Sequence, residues 1–273
     1  FLSPNLIFMC KPLLLLLFAV STVLKVGCQI PGTSMPGYDY RIFQYTPCWA
    51  LALAIHANDS SKVRQLVGEQ HMTVNCFDPH YGTSLLDIAI INNKAEAFEA
   101  LLQAGVDVNA RSPKNSTTAL FDLCSNSAIT ENTLFYLTQL IQHGADVNAS
   151  VPDSIENVFA PRTCLEQLVL NTRSVEAIRL LLDHGAKLDR YPLDGPDALI
   201  SHATINSDLR PLRYLLMERK LAIPAYIDIR DKGGPQQETL TLRKVLEERN
   251  VTRYPEQQKV KEEILAFLAA HGQ

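Results

Sequence analysis

Three histidines, His143, His184 and His271, each stand immediately before a glycine, and three aspartates, Asp107, Asp146 and Asp189, follow equivalent glycines by two to four residues. Imidazoles and carboxylates bind metal ions or move protons when they converge on one point. Cys124 with Asp122 nearby, and Cys164 with Glu166, have the composition of a nucleophile and a helper. The spacing denies convergence. The histidines lie 41 and 87 residues apart, in one slot of a repeated phrase, so a fold that stacks the phrase sets them at least a whole unit apart. A histidine in the last turn of a helix also has a purely structural role, because it interacts with the free terminal carbonyls and the helix dipole. The aspartates fall in a turn whose backbone their side chains stabilise locally. No motif ties a histidine to either cysteine, and no GxSxG, HExxH or glycine-rich phosphate loop is present. These residues predict no catalytic group, no metal and no cofactor, and the cysteines read as small helix-filling side chains.

The repeated phrase is LIQHGADVNAS (140–150), with copies LLQAGVDVNAR (101–111) and LLDHGAKLDRY (181–191). Around the second copy, GTSLLDIAIINNKAEAFEALLQAGVDVNAR (82–111) forms a complete unit that resembles the ankyrin repeat, GxTPLHxAxxxGxxxxVxxLLxxGADVNAx, without a gap. Ser84 to Ala89 occupy the TPLHxA slots, and Leu101, Leu102, Gly105 and Asp107 to Ala110 occupy the LLxxGADVNA slots. Leu85 replaces the proline, Asp87 the histidine and Asn93 the inter-helix glycine, so the second half of the motif carries most of the likeness.

The residue pattern supports the resemblance on its own terms. Leu85, Leu86, Ile88 and Ala89 give a short first helix one apolar face, and Phe98, Leu101 and Leu102 recur at helical steps in a second. Gly105 stands where that helix turns left-handed. The same slot is marked by His71, Gly105, Gly144, Gly185, a degenerate site near Lys220, and Gly272. The expectation is an all-α ankyrin-repeat solenoid of about six helix–turn–helix repeats with β-turn fingers. The repeats span about 48–77, 82–111, 117–150, 162–191, 196–225 and 238–273, the last a charged cap. The third carries an insertion between its helices and the fifth is frayed. Excess length places long loops at 148–163 and 226–239.

Ahead of the repeats, Met9, Cys10, Lys11 and Pro12 precede LLLLLFAVSTVL (13–24), a basic start and an apolar run too short to span a bilayer comfortably. This predicts a secretory signal over 1–28 with translation starting at Met9. Gly27–Cys28 resembles a bacterial lipobox, though Lys25 stands where that motif prefers a small apolar residue or Leu. Lipidation of Cys28 and ordinary cleavage both remain open, and either route exports the chain, to the periplasm, an outer-membrane anchor or the medium. Residues 29–47 read as a linker or, through Tyr40 to Tyr45, as an N-terminal cap. Export permits disulfides among Cys48, Cys76, Cys124 and Cys164, but their spacing pairs none of them, and buried free thiols are the equal alternative.

The whole chain, 47% hydrophobic and 20% charged, carries a net charge of −4. No cluster of lysine and arginine occurs, which argues against nucleic acid as a partner. Four NxS/T sequons, at Asn58, Asn115, Asn148 and Asn250, have meaning only in a eukaryotic host, and Asn148 belongs to the repeated phrase itself.

The resemblance implies a monomeric, non-enzymatic protein that binds another protein with its fingers and first helices. The residues that could bind are those the repeat does not need: Phe77, Pro79, His80 and Tyr81 in the first finger, and Arg111 and Lys114 in the second. Val151, Asp153, Ile155 and Phe159 in the long third finger and Arg190 and Tyr191 in the fourth continue the line. Aromatic and arginine side chains at tips are the types that dominate interface energies. An inhibitor or immunity protein blocking a toxin or enzyme, and a secreted effector, are the narrower alternatives.

Overall fold

The structure is a computed structural model that describes residues 37–125, 131–151, 163–171, 174–188, 195–225, 227–228 and 239–272. The predicted signal with Cys28, and the site residues Asp153, Ile155, Phe159, Arg190 and Tyr191, lie outside the described residues.

After a 3₁₀ turn at Tyr40–Phe43, helices follow in antiparallel pairs: α1 (Trp49–His56) with α2 (Ser60–Gly68), α3 (Leu85–Ile91) with α4 (Ala95–Gln103), and α5 (Ala119–Ser125) with α6 (Glu131–Gln142). Then come α7 (Cys164–Asn171) with α8 (Val175–Asp183), α9 (Gly195–Ile205) with α10 (Arg210–Arg213), and α11 (Leu242–Glu248) with α12 (Pro255–Ala270). The described residues are mainly helical, as expected of an all-α chain. An addition is a two-residue antiparallel pair, β1 (Ile227–Asp228) and β2 (Thr239–Leu240), with Ile227 opposite Leu240.

Local sequence explains where the helices start. Ser84 and Asp87 form a reciprocal capping box on α3: the Asp87 N–H donates to Ser84 Oγ at 3.1 Å and the Ser84 N–H to Asp87 Oδ2 at 2.8 Å. Thr163 and Glu166 repeat the device on α7, at 3.2 and 3.0 Å. Asp59, Ser174 and Thr241 accept from the first turns of α2, α8 and α11. Both box acids occupy the slot where the ankyrin pattern has histidine.

Local sequence also explains where the units turn. At His71, Gly105, Gly144, Gly185, Lys220 and Gly272, the six marked slots, φ lies between +52° and +87°. Asn58 and Asn93, between the paired helices, share the left-handed region at +55° and +52°. The second helix of the fifth pair is irregular: α10 runs on as a π turn, Tyr214–Glu218, closed by the Arg219 N–H on the Tyr214 carbonyl before Lys220 turns the chain.

Packing runs unit to unit. The first helices stack α1 on α3, α3 on α5, α5 on α7 and α7 on α9; the second helices stack α2 on α4, α6 on α8, α8 on α10 and α10 on α12. Phe98 bridges α4 to α6 through edge-on contacts with Phe135 and Tyr136. One continuous core results, from Phe43 to Leu268. At its start Tyr40 stacks on His56 at 3.9 Å and on Trp49 at 5.8 Å, and Phe43 is fully buried. Cys48, at the start of α1, is joined by a disulfide to Cys76 beyond α2, with Cα atoms 6.5 Å apart. No helix among the described residues is long and apolar enough to cross a membrane.

Candidate protein-binding surface

The inviting histidines have structural duties. Nδ1 of His143, His184 and His271 donates to the carbonyl four residues back, on Gln139, Leu180 and Phe267, at 2.8 to 2.9 Å. The described residues hold no group of three His, Cys, Asp or Glu arranged to take a metal. Cys124 and Cys164 are buried free thiols. Burial, and then the neighbouring Cys164, push the Cys124 thiol well above its ordinary value, which is the reverse of an activated nucleophile.

The aspartates and asparagines of the repeated phrase tie the fingers together. Asp107 and Asp146 each accept the N–H two residues on, from Asn109 and Asn148, at 2.9 Å. The asparagines reach across to the next unit. Asn109 accepts the Asp146 N–H at 2.8 Å and donates to the Gly144 carbonyl at 2.9 Å. Asn148 accepts from Lys187 at 2.9 Å and donates to Gly185 at 3.0 Å, and Asn75 accepts from Asp107 at 2.8 Å. This amide ladder fixes the spacing from finger to finger, and the repeated phrase alone did not disclose it.

The predicted contact residues separate into distinct environments. His80 is exposed at the tip of the first finger, its ring edge-on to Tyr81 at 4.4 Å. Tyr81 is half-buried, and its ring lies against Gly37 of the N-terminal segment. Phe77 is half-buried and bridges back to Ser84. Lys114 is exposed, with its aliphatic stem over Gly82. Arg111 is exposed, but its guanidinium donates to the carbonyls of Ser116 and Ser150, both at 2.8 Å, and so braces the second finger to the third. Val151 is buried, and a bridge between Ser150 and Thr163 closes the base of the long loop.

Asp78, a residue the sequence did not single out, organises the first finger. Its fully buried carboxylate accepts the N–H groups of His80, Tyr81 and Thr83 at 2.7 to 2.9 Å, and so holds His80 outward. The pattern D-x-H-Y-G was a signal for it, since an aspartate two to five residues ahead of turn amides is a standard turn former. Sequence reasoning also passed over Ile91 and Ile205, large apolar side chains 51% and 53% exposed at the ends of the first helices α3 and α9.

Beneath this face lies a pair of acids. Burial raises the Asp122 carboxyl to about 7, helped by the nearby Asp87, while the Thr117 hydroxyl opposes the shift. Asp87 is likewise raised by burial against its bonds to Ser84.

No family model matches the sequence. Two curated proteins, the ankyrin repeat and SOCS box protein 6 of Homo sapiens and that of Pongo abelii, are each 29% identical over 157 residues, an alignment covering 52% of this chain and 36% of theirs. The chain therefore spans about a third of the length of these relatives. Over about half of its own length, the chain is similar to ankyrin repeat proteins.

Proposed function

We propose that the chain is an ankyrin-repeat solenoid of six units, about 48–77, 82–111, 117–150, 162–191, 196–225 and 238–273, that binds another protein with its fingers and performs no chemistry. The observation that carries this is the amide ladder through Asn75, Asn109 and Asn148, which holds the fingers at fixed spacing while leaving His80 and Lys114 exposed. A surface held rigid in the free state loses less order on binding. The similarity to ankyrin repeat proteins supports the same role.

Within the proposed surface, Phe77, His80, Tyr81 and Lys114 form the first described stretch, with Asp153, Ile155, Phe159, Arg190 and Tyr191 continuing it and Arg111 acting as its brace. The joint change His80→Glu and Lys114→Glu is expected to weaken capture of the natural partner at least tenfold. The unfolding midpoint should stay unchanged. Equal capture by parent and variant would remove these residues from the surface.

The proposal extends to compartment. The basic and apolar start of residues 9–28 supports export, and the Cys48–Cys76 disulfide suits an oxidising destination. A lipid anchor on Cys28 is a second reading, favoured by Gly27–Cys28. The mass of the mature N-terminus separates a diacylglyceryl cysteine from a free cleaved end. The narrower role of an inhibitor predicts loss of a target enzyme's activity on mixing, which a scaffold does not.

A further inference from the structure

The four sequons are chemically alike in sequence, but the fold divides them into two pairs. Asn58 and Asn148 are half-buried, and both ends of each side-chain amide are in use. Asn58 accepts from the Ala97 N–H and donates to Glu96, which ties the α1–α2 turn to the start of α4. Asn148 is a rung of the amide ladder, accepting from Lys187 and donating to Gly185. A sugar on either nitrogen would displace a bond between units.

Asn115 and Asn250 are exposed. Asn115 lies in the turn ahead of α5, and Asn250 lies between α11 and α12. In each, Oδ1 is held from within its own sequon: the Thr117 N–H donates to Asn115 at 3.2 Å, with the Thr117 Oγ1 shared between Asn115 Oδ1 at 2.8 Å and Asp122 Oδ2 at 2.9 Å, and Thr252 donates to Asn250 through N–H at 3.2 Å and Oγ1 at 2.8 Å. This is an Asx turn closed by the hydroxyl of the third sequon residue. Both asparagines are exposed, and among the described residues Nδ2 of neither forms a hydrogen bond.

We propose that Asn115 and Asn250 are the N-glycan acceptors of this fold in a glycosylating lumen, and that Asn58 and Asn148 are not. The inference rests on the export reading above for the chain's arrival there. The transfer joins Nδ2 to the anomeric carbon of a lipid-pyrophosphate-linked oligosaccharide, breaks that carbon's bond to the pyrophosphate oxygen, and releases one amide proton; nothing is oxidised or reduced. The Asn250 glycan then stands off the exposed loop between α11 and α12, while the Asn115 glycan stands in the second finger beside Lys114 and narrows the proposed contact surface there.

The test is intact mass and gel mobility, before and after a peptide-N-glycosidase, of the full chain secreted from a eukaryotic host. One version keeps its own leader, and a second carries a heterologous leader ahead of Gln29. Two glycans are expected. Asn115→Gln and Asn250→Gln should each remove one and together remove both, while Asn58→Gln and Asn148→Gln should remove none. Glycans only on the version with the heterologous leader would support the two sites and refute export by the chain's own leader. An unmodified chain behind the heterologous leader, or a glycan on Asn58 or Asn148, would overturn the assignment.

Discussion

Gly144 has open space around it. Beyond its immediate chain neighbours no heavy atom lies within 4 Å of the place its β-carbon would take, so the position demands glycine only through its φ of +86°. Gly144→Asn is therefore expected to be nearly neutral, while Gly144→Val should cost about 1–3 kcal/mol, read from the urea midpoint. Gly82 is constrained by space as well. A β-carbon there would sit 2.5 Å from Ser112 Oγ and 2.8 Å from Lys114 Cγ, so Gly82→Ala should cost more than Gly144→Ala. Asp122 supplies a pH dependence. Its folded value of about 7 lies above the ordinary 3.8, so between those values the folded chain holds a proton that the unfolded chain has released. Stability then falls as pH rises through that window. Asp122→Asn should be more stable than the parent at pH 8, with the difference shrinking towards pH 4 in denaturant titrations. The histidine and glycine slots were legible because their roles are local to one helix end. Asp78 and the Asp87–Asp122 pair were less so, because burial is decided by the neighbouring unit.

The finger is an element whose parts cross unit boundaries. Asn109→Ala removes two bonds to the next finger and is expected to cost about 1–3 kcal/mol, with faster amide exchange at Asp146 as its local sign. The disulfide closes a loop of 28 residues and should contribute about 3–4 kcal/mol by loop-closure entropy. Reduction is thus expected to loosen α1 and α2 first, visible as lost exchange protection there while α7 and α8 keep theirs. Helix pairs two to four were clear in the sequence from apolar period and terminal glycine. The fifth was not, because its π turn uses five-residue closure and puts Lys220 where a glycine is expected. The Cys48–Cys76 pairing was also invisible, since sequence spacing says nothing about which turns meet.

At the scale of the molecule, each unit packs on its neighbours in sequence, so stability is close to a sum of unit and interface contributions. The all-helical class and the ankyrin likeness were readable because one phrase is written three times; the partner was not, because the residues that would choose it are those outside the phrase. The central claim is that the fingers face the partner and the second helices do not. It is tested most directly by placing a photo-crosslinking amino acid at His80, at Lys114 and, on the exposed side of α4, at Glu99, one position per protein, in the native cell. One recurring adduct from His80 and Lys114 and none from Glu99 is predicted. An adduct formed as well from Glu99 as from the two finger positions, or none from any of the three, would contradict the account.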